Sequence, residues 1–302
     1  MMASISAWLV AFRLRTLPLA LSTIILGSFL AAYHQAFRWP VFIGAVFTTL
    51  FLQILSNLAN DYGDTVHGVD KEERVGPQRG LQAGLISMKS MRNAIIIFVI
   101  LSLISGIFLI VEALKGLEWN YLIYFFLLGV AAIIAALKYT MGKNPYGYAG
   151  RGDIFVFLFF GLVGVMGSYF LYTHQFSLLE CLPALSIGFF STGVLNLNNM
   201  RDHENDSLHG KHTIVVKMGL EKAKKYHTFL IISGMLTAVI YSFSIPAGLI
   251  KWIYLLSFVM MWKRLMIIRK NTEASALDPE LKYLALSTLL FSLFFGVGLL
   301  VS

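Results

Sequence analysis

Nine apolar stretches, separated by shorter polar segments, set the pattern of this chain. They run about Leu17 to Tyr33, Val41 to Asn57, Ala94 to Leu114, Tyr121 to Leu137 and Ile154 to Tyr172. The others run about Leu178 to Leu197, Thr228 to Phe243, Trp252 to Ile268 and Tyr283 to Val301. A helix needs roughly 20 apolar residues to cross a bilayer core. The pattern therefore predicts an all-α, multi-span integral membrane bundle of about nine transmembrane helices. The seventh and eighth stretches are divided only by Ser244, Pro246, Gly248 and Lys251, the weakest break of the set. Composition agrees: of 302 residues 57% are hydrophobic and 13% charged, more apolar than a soluble domain of this size can bury. No linker, low-complexity tract or heptad run divides residues 1–302, which read as a single membrane domain.

The basic residues test the helix count. Nine helices leave the N-terminus and every second loop on one side. Twenty-one of the 24 Lys and Arg then fall on that side, against Arg38, Lys115 and Lys251 opposite. The positive-inside rule places the N-terminus and the loops on its side, those following the second and sixth stretches included, in the cytoplasm, with the C-terminus outside a cytoplasmic (inner) membrane. The net charge of +8 thus reflects topology and contacts with anionic membrane lipids, and nothing in it implies nucleic acid. The first stretch follows Arg13 and Arg15 without a cleavage-site pattern, so it reads as a retained helix. The single cysteine, Cys181, excludes an intramolecular disulfide and a cysteine-based metal site.

Two acid clusters change the picture from architecture to chemistry. One runs from Asn57 through Asp61 and Asp64 to Asp70 at the end of the second stretch; the other runs from Asn198 through Asp202 and Asp206 to Lys211 after the sixth. Each opens one of the two longest loops, and long loops in a compact bundle are usually functional. A shift of 142 residues lays Asp64-Thr65-Val66-His67-Gly68 on Asp206-Ser207-Leu208-His209-Gly210, and Asn57 on Asn199. That period spans four helices, an even number, so it predicts a parallel repeat with two half-sites facing one cavity.

Spacings of three and four place these acids and amides on one helical stripe, about 5–6 Å apart. Adjacent carboxylates repel unless a proton or cation lies between them. Hard oxygen donors without cysteine favour Mg²⁺, or Mn²⁺, over zinc. Mg²⁺ is commonly held by a few carboxylates together with substrate phosphates. Lys71, Arg74 and Arg79 follow the first cluster, while Arg201 and Lys211 lie in the second, all suited to phosphate oxygens. The same acids at helix ends also suit plain capping, and His67 and His209 suit solvated loops as well as ligands. No Asp, Glu, Lys or Arg falls near the centre of any stretch, which disfavours a metal or lipid-phosphate transporter, the rival reading of a different class.

At these residues the chain resembles the UbiA superfamily of membrane prenyltransferases. Three segments carry the likeness to the branch that prenylates 1,4-dihydroxy-2-naphthoate: Asn60-Asp61-Tyr62-Gly63-Asp64 with Val75-Gly76-Pro77-Gln78-Arg79-Gly80; Asn144-Pro145-Tyr146-Gly147-Tyr148-Ala149-Gly150-Arg151-Gly152-Asp153; and Arg201-Asp202 through Gly210-Lys211 to Val216-Lys217-Met218-Gly219. The resemblance implies Mg²⁺ on Asn57, Asp61, Asp64, Asn198, Asp202 and Asp206, engaging a polyprenyl diphosphate. It implies Arg74, Arg79, Arg201 and Lys211 at the phosphates, and Asp70, Lys71, Lys138 and Tyr139 on the catalytic, acceptor side, Lys138 within reach of the phosphates too. Departure of diphosphate would leave an allylic cation, attacked by the carbon bearing the acceptor's carboxylate. Loss of CO2 would then give demethylmenaquinone. A different aromatic acceptor, such as 4-hydroxybenzoate, would keep the same chemistry. Asp70 lies six residues after Asp64, too far for the third acid of the ubiquinone branch, and Arg151 stands where an apolar residue is expected.

Overall fold

The computed structural model describes residues 4–69 and 79–302, and every regular element among them is helical. Asp70, Lys71 and Arg74 lie outside the described residues. Helix α1 (Ile5–Phe12) begins where the Ser4 hydroxyl accepts the Ala7 amide, a side-chain N-cap. It stops at Arg13, whose backbone is left-handed, and a single 3-10 turn (Leu14–Thr16) leads into α2 (Leu17–Tyr33). Proline in the first turn opens both α2 and α3 (Trp39–Val66), where its missing N–H costs no helical bond. Next come α4 (Met88–Ala113) and α5 (Trp119–Lys138). The fifth span is composite: α6 (Gly152–Val156), a wider π-helical segment (Phe157–Met166) and α7 (Gly167–Thr173). It is followed by α8 (Cys181–Arg201), the short α9 (His203–Leu208) and α10 (Ile214–Met218), and α11 (Leu220–Ser244). A 3-10 segment (Leu249–Tyr254) enters α12 (Leu255–Lys270), and another (Ala274–Leu277) enters α13 (Asp278–Val301).

Eight of these helical runs are long and apolar enough to cross a membrane. The eighth predicted stretch, Trp252 to Ile268, is shorter and less apolar than these. Its α12 has 16 residues and carries Lys263, Arg264, Arg269 and Lys270, so charge truncates the apolar window. It still buries one face, through Phe258, Met261, Leu265 and Ile268, and packs against α11 and α13. Elsewhere the apolar surface points outward. Along α4, Ile96, Ile100, Ile104, Phe108 and Val111 are exposed, a face that only lipid would solvate favourably.

The tightest pairings are α3 on α4, α8 on α11 and α13 on α2, the last closing the bundle. Phe190, Tyr254, Phe258, Phe291 and Phe295 fill its interior in stacked and edge-on contacts, with Phe190 and Phe291 centroids 5.4 Å apart. One close approach bears on function. At Gly63 a Cβ would lie 2.5 Å from the Thr140 carbonyl oxygen, so only glycine lets the end of α5 rest on α3 beside Asp64. The Thr140 hydroxyl donates to the Ala59 carbonyl at 3.0 Å and fixes that contact.

Candidate active site

The last turns of α3 bury Asn57, Asp61 and Asp64 together. Helical spacing alone puts them on one face; the neighbouring elements supply the bases. The left-handed turn at Arg13 brings its guanidinium onto Asp61 Oδ1. Asn57 holds that turn in place, its amide donating to the Phe12 carbonyl at 3.0 Å and to Thr16 Oγ1 at 3.1 Å. Arg79 spans both acids, with Nη1 2.7 Å from Asp64 Oδ2 and Nε 3.3 Å from Asp61 Oδ1. The Tyr148 hydroxyl donates to Asp64 Oδ1 at 2.6 Å.

The second cluster sits where α8 gives way to α9. Asp202 interrupts the helix, yet its amide still bonds the Asn198 carbonyl and its carbonyl still takes the Asp206 amide. Arg201, fully buried, grips Asp202 through Nε (2.8 Å) and Nη2 (2.7 Å), and Nη2 also donates to Asn198 Oδ1 at 2.9 Å. Its Nη1 reaches Asp278 Oδ1, at the start of α13, at 2.6 Å; Arg15 reaches the other oxygen at 2.9 Å. Lys211 joins the two clusters, its Nζ 3.5 Å from Asp206 Oδ1 and 3.8 Å from Asp64 Oδ1. A second link runs from the Asn205 amide to the Val69 carbonyl at 3.0 Å.

The 142-residue shift is repeated bond for bond in the backbone. The Val69 amide bonds the Asp64 carbonyl, and the Lys211 amide bonds the Asp206 carbonyl. The Gly68 amide bonds Thr65, and that of Gly210 bonds Ser207. Both glycines are left-handed, with φ of 70° and 71°. These are paired Schellman caps, which set the residue after the glycine against the one five positions earlier. In the first copy that residue is buried Val69. In the second it is Lys211, which is why an ammonium lies on Asp206. His67 and His209 complete the match, each Nδ1 bonding the carbonyl four residues back at 2.8 Å. They are helix-end residues rather than ligands.

Burial pushes the Asp206 carboxyl up to about 6, and the nearby Asp202 and Asp64 charges push the same way, against Lys211. For Lys211, Asp64 and Asp206 outweigh burial and hold the ammonium above its usual range. Among the described residues, no three His, Cys, Asp or Glu converge to cage a metal unaided. The donors nonetheless fit Mg²⁺. Asp206 Oδ2, Asn199 Oδ1 and Asn205 Oδ1 are buried oxygens without hydrogen-bond partners, and Mg²⁺ needs only a few such oxygens beside substrate phosphate.

Asp61, Asp64, Asp206, Arg79 and Lys211 are therefore brought together, while Asn198, Asp202 and Arg201 form a second knot tied through Asp278. Tyr139 is half-buried beside the first of these: burial, followed by the charges of Asp153, Asp64 and Asp206, raises its phenol above the ordinary value. Lys138 is exposed, its ammonium curled back toward Gly142. Arg13, Arg15, Tyr148 and Asp278 escaped the sequence reading. The two arginines looked like flanking topology charges, Tyr148 sits in a turn and Asp278 opens α13, and no local spacing reveals the approach of either.

Fold and site together define a helical membrane protein with a buried acid-and-base centre at one end of its bundle. The chain belongs to the UbiA prenyltransferase family, whose model matches residues 20–289. It is 40% identical over 296 residues to 1,4-dihydroxy-2-naphthoate octaprenyltransferase of Escherichia coli (strain K12), covering 98% of this chain and 96% of that one. The same identity holds to the enzyme of that name from Haemophilus influenzae, over 97% of this chain and 96% of the other. The fold is similar to the apo UbiA homolog from Aeropyrum pernix K1 (TM-score 0.67, 17% identity, 96% of this chain and 98% of that one). It is also similar to the UbiA homolog from Archaeoglobus fulgidus bound to GPP and Mg²⁺ (TM-score 0.66, 18% identity, 98% of this chain and 100% of that one).

Proposed function

We propose that this protein transfers a polyprenyl group from polyprenyl diphosphate to 1,4-dihydroxy-2-naphthoate, with loss of CO2, giving demethylmenaquinone in its quinol form. One observation carries the reading: two acid clusters, repeated in backbone detail and bridged by Lys211, in a chain similar along its whole length to naphthoate prenyltransferases. Asp61, Asp64, Asp202 and Asp206, with Asn57 and Asn198, would hold Mg²⁺, which would supply charge neutralisation for the departing diphosphate. Arg13, Arg79 and Lys211 line the same centre and take diphosphate oxygens through N–H groups now turned on the carboxylates. Arg201 keeps Asp202 and Asn198 aimed inward. Tyr139 lies on the acceptor side. The centre faces the cytoplasm of an inner membrane, as the skew of Lys and Arg to one side directs, and the tail lies among lipid-facing helices.

Purified protein in lipid, given polyprenyl diphosphate, Mg²⁺ and dihydroxynaphthoate, is expected to form decarboxylated, prenylated product by mass spectrometry, and EDTA is expected to abolish it. Product from 4-hydroxybenzoate instead would move the chain to another pathway.

The Asp206 carboxyl also sets a pH dependence. Its folded value, near 6, lies above the ordinary 3.8, so the folded protein retains that proton until pH rises past about 6. A cation needs the ionised form. Mn²⁺ affinity, read by paramagnetic resonance, is therefore expected to weaken up to about tenfold per pH unit below 6 and to level off above it. Asp206→Asn is expected to bind weakly and to lose that slope.

A further inference from the structure

Three buried carboxylates lie outside the two clusters: Glu180, which His34 contacts, Glu280, which Arg264 contacts, and Asp153, which no basic side chain is seen to contact among the described residues. Asp153 occupies the first turn of α6, is 4% exposed, and has an oxygen, Oδ2, buried without a hydrogen-bond partner. The Tyr226 phenol of α11 lies against this carboxylate. On the other side stands Tyr139, packed close because residues 147 and 152 are glycines. A Cβ at Gly152 would fall 3.0 Å from Tyr139 Cε2 and 3.4 Å from its hydroxyl; one at Gly147 would fall 2.9 Å from Cε2. Tyr146 walls the Tyr139 ring edge-on at 5.4 Å, with its own hydroxyl already spent on the Ala135 carbonyl. Tyr139 in turn lies within electrostatic reach of Asp64, Asp206 and Arg13. Polar groups thus extend from the diphosphate centre through Tyr139 to an unsatisfied carboxylate oxygen, beside the aromatic rings of Tyr139 and Tyr146. An acid kept this way costs stability, so its retention points to a ligand that supplies a donor.

We propose that Asp153 is the catalytic base that takes the proton of the aromatic acceptor's ring hydroxyl next to the attacked carbon, with Tyr226 as its positioning residue. The inference rests on the prenyltransferase reading above and assigns the acceptor half of that site. The hydroxyl O–H breaks, and its proton passes to Asp153 Oδ2. The oxygen electron pair drives the ring carbon onto C1 of the prenyl group, as the C1–O bond breaks and its electrons leave with diphosphate. The carboxylate then departs as CO2, and its bonding electrons restore the aromatic ring and the ring oxygen's charge. Asp153 returns the proton there, so the carboxylate is regenerated each turnover.

Asp153→Asn tests this, because asparagine keeps the shape and the helix-start hydrogen bonding but cannot accept the proton. Turnover is expected to fall about 10²–10³-fold, in the range of general-base catalysis, with the acid limb of the kcat–pH profile lost. The KM for polyprenyl diphosphate and the binding of Mg²⁺–pyrophosphate are expected to stay within about twofold, since transition-state contacts alone are removed. Wild-type-like turnover, or an equal loss of pyrophosphate binding, overturns the assignment and leaves Asp153 a structural residue. If Asp153→Asn does not fold, Tyr226→Phe carries the test: about tenfold lower kcat with a shifted acid limb supports it, and an unchanged profile overturns it. Absence of product from the wild type overturns both readings, whereas product from the wild type and from the variant alike overturns this one only.

Discussion

Asp64→Asn is expected to lower prenyl transfer by about 10²–10³-fold while leaving the protein folded in membranes, on the scale of losing one transition-state electrostatic group. Asp64 is the one acid touched from every side of the centre, by Arg79, Tyr148 and Lys211. An amide in its place keeps the volume and, with its carbonyl oxygen at the Oδ2 position, still accepts from Arg79, while its NH2 takes the Oδ1 position and can donate to the Tyr148 hydroxyl. It removes the charge that would hold Mg²⁺ and leaves Arg79 and Lys211 facing each other with less to neutralise them. Measured kcat and Mg²⁺ dependence in lipid, alongside the thermal midpoint, separate the two consequences. The charge argument predicts a large fall in kcat and a weakened Mg²⁺ response with only a small shift of the midpoint. Full activity in this variant would show that the first cluster does not hold the cation.

Much of this centre was legible before any coordinates, and the limits are physical. Asn57, Asp61 and Asp64, like Asn198, Asp202 and Asp206, announce themselves because helical spacing is a local property. The repeat was equally visible, and its backbone form follows from Gly68 and Gly210, residues that accept a left-handed conformation freely. Arg13 was not legible. A base beside a membrane span serves topology so often that its charge says nothing about its target, and only the turn at residue 13 aims it at Asp61. Asp278 and Asp153 were hidden for a related reason: each meets its partners across more than 70 residues of chain, and sequence alone gives no distance between such groups. The stretch from Trp252 to Ile268 is less apolar than it looks because Lys263 and Arg264 stand inside it, where an apolar average hides them. Packing against α11 and α13, rather than length, keeps that helix in the bundle.

Arg201→Met is expected to be the most damaging change to the fold, costing about 3–5 kcal/mol, as when one partner of a buried ion pair is removed. The guanidinium has no exposed side-chain area and makes four hydrogen bonds, to Asp202 (two), Asn198 and Asp278. Methionine fills much of the space but takes from the buried Asp202 carboxylate both of the Arg201 hydrogen bonds and their charge. Asp278 retains Arg15, so the loss concentrates at the join between α8 and α9. The same reasoning predicts partial rescue. In Arg201→Met/Asp202→Asn the carboxylate that lost the Arg201 charge is neutral, so the double variant is expected to regain about half of the lost stability, although it still lacks a metal ligand and stays inactive. Thermal unfolding in detergent followed by intrinsic fluorescence would show this as a recovered midpoint without recovered turnover. If the double variant were no more stable than Arg201→Met, the penalty would lie in lost packing around α8, and Arg201 would be a space-filling residue rather than the counter-ion of the second cluster.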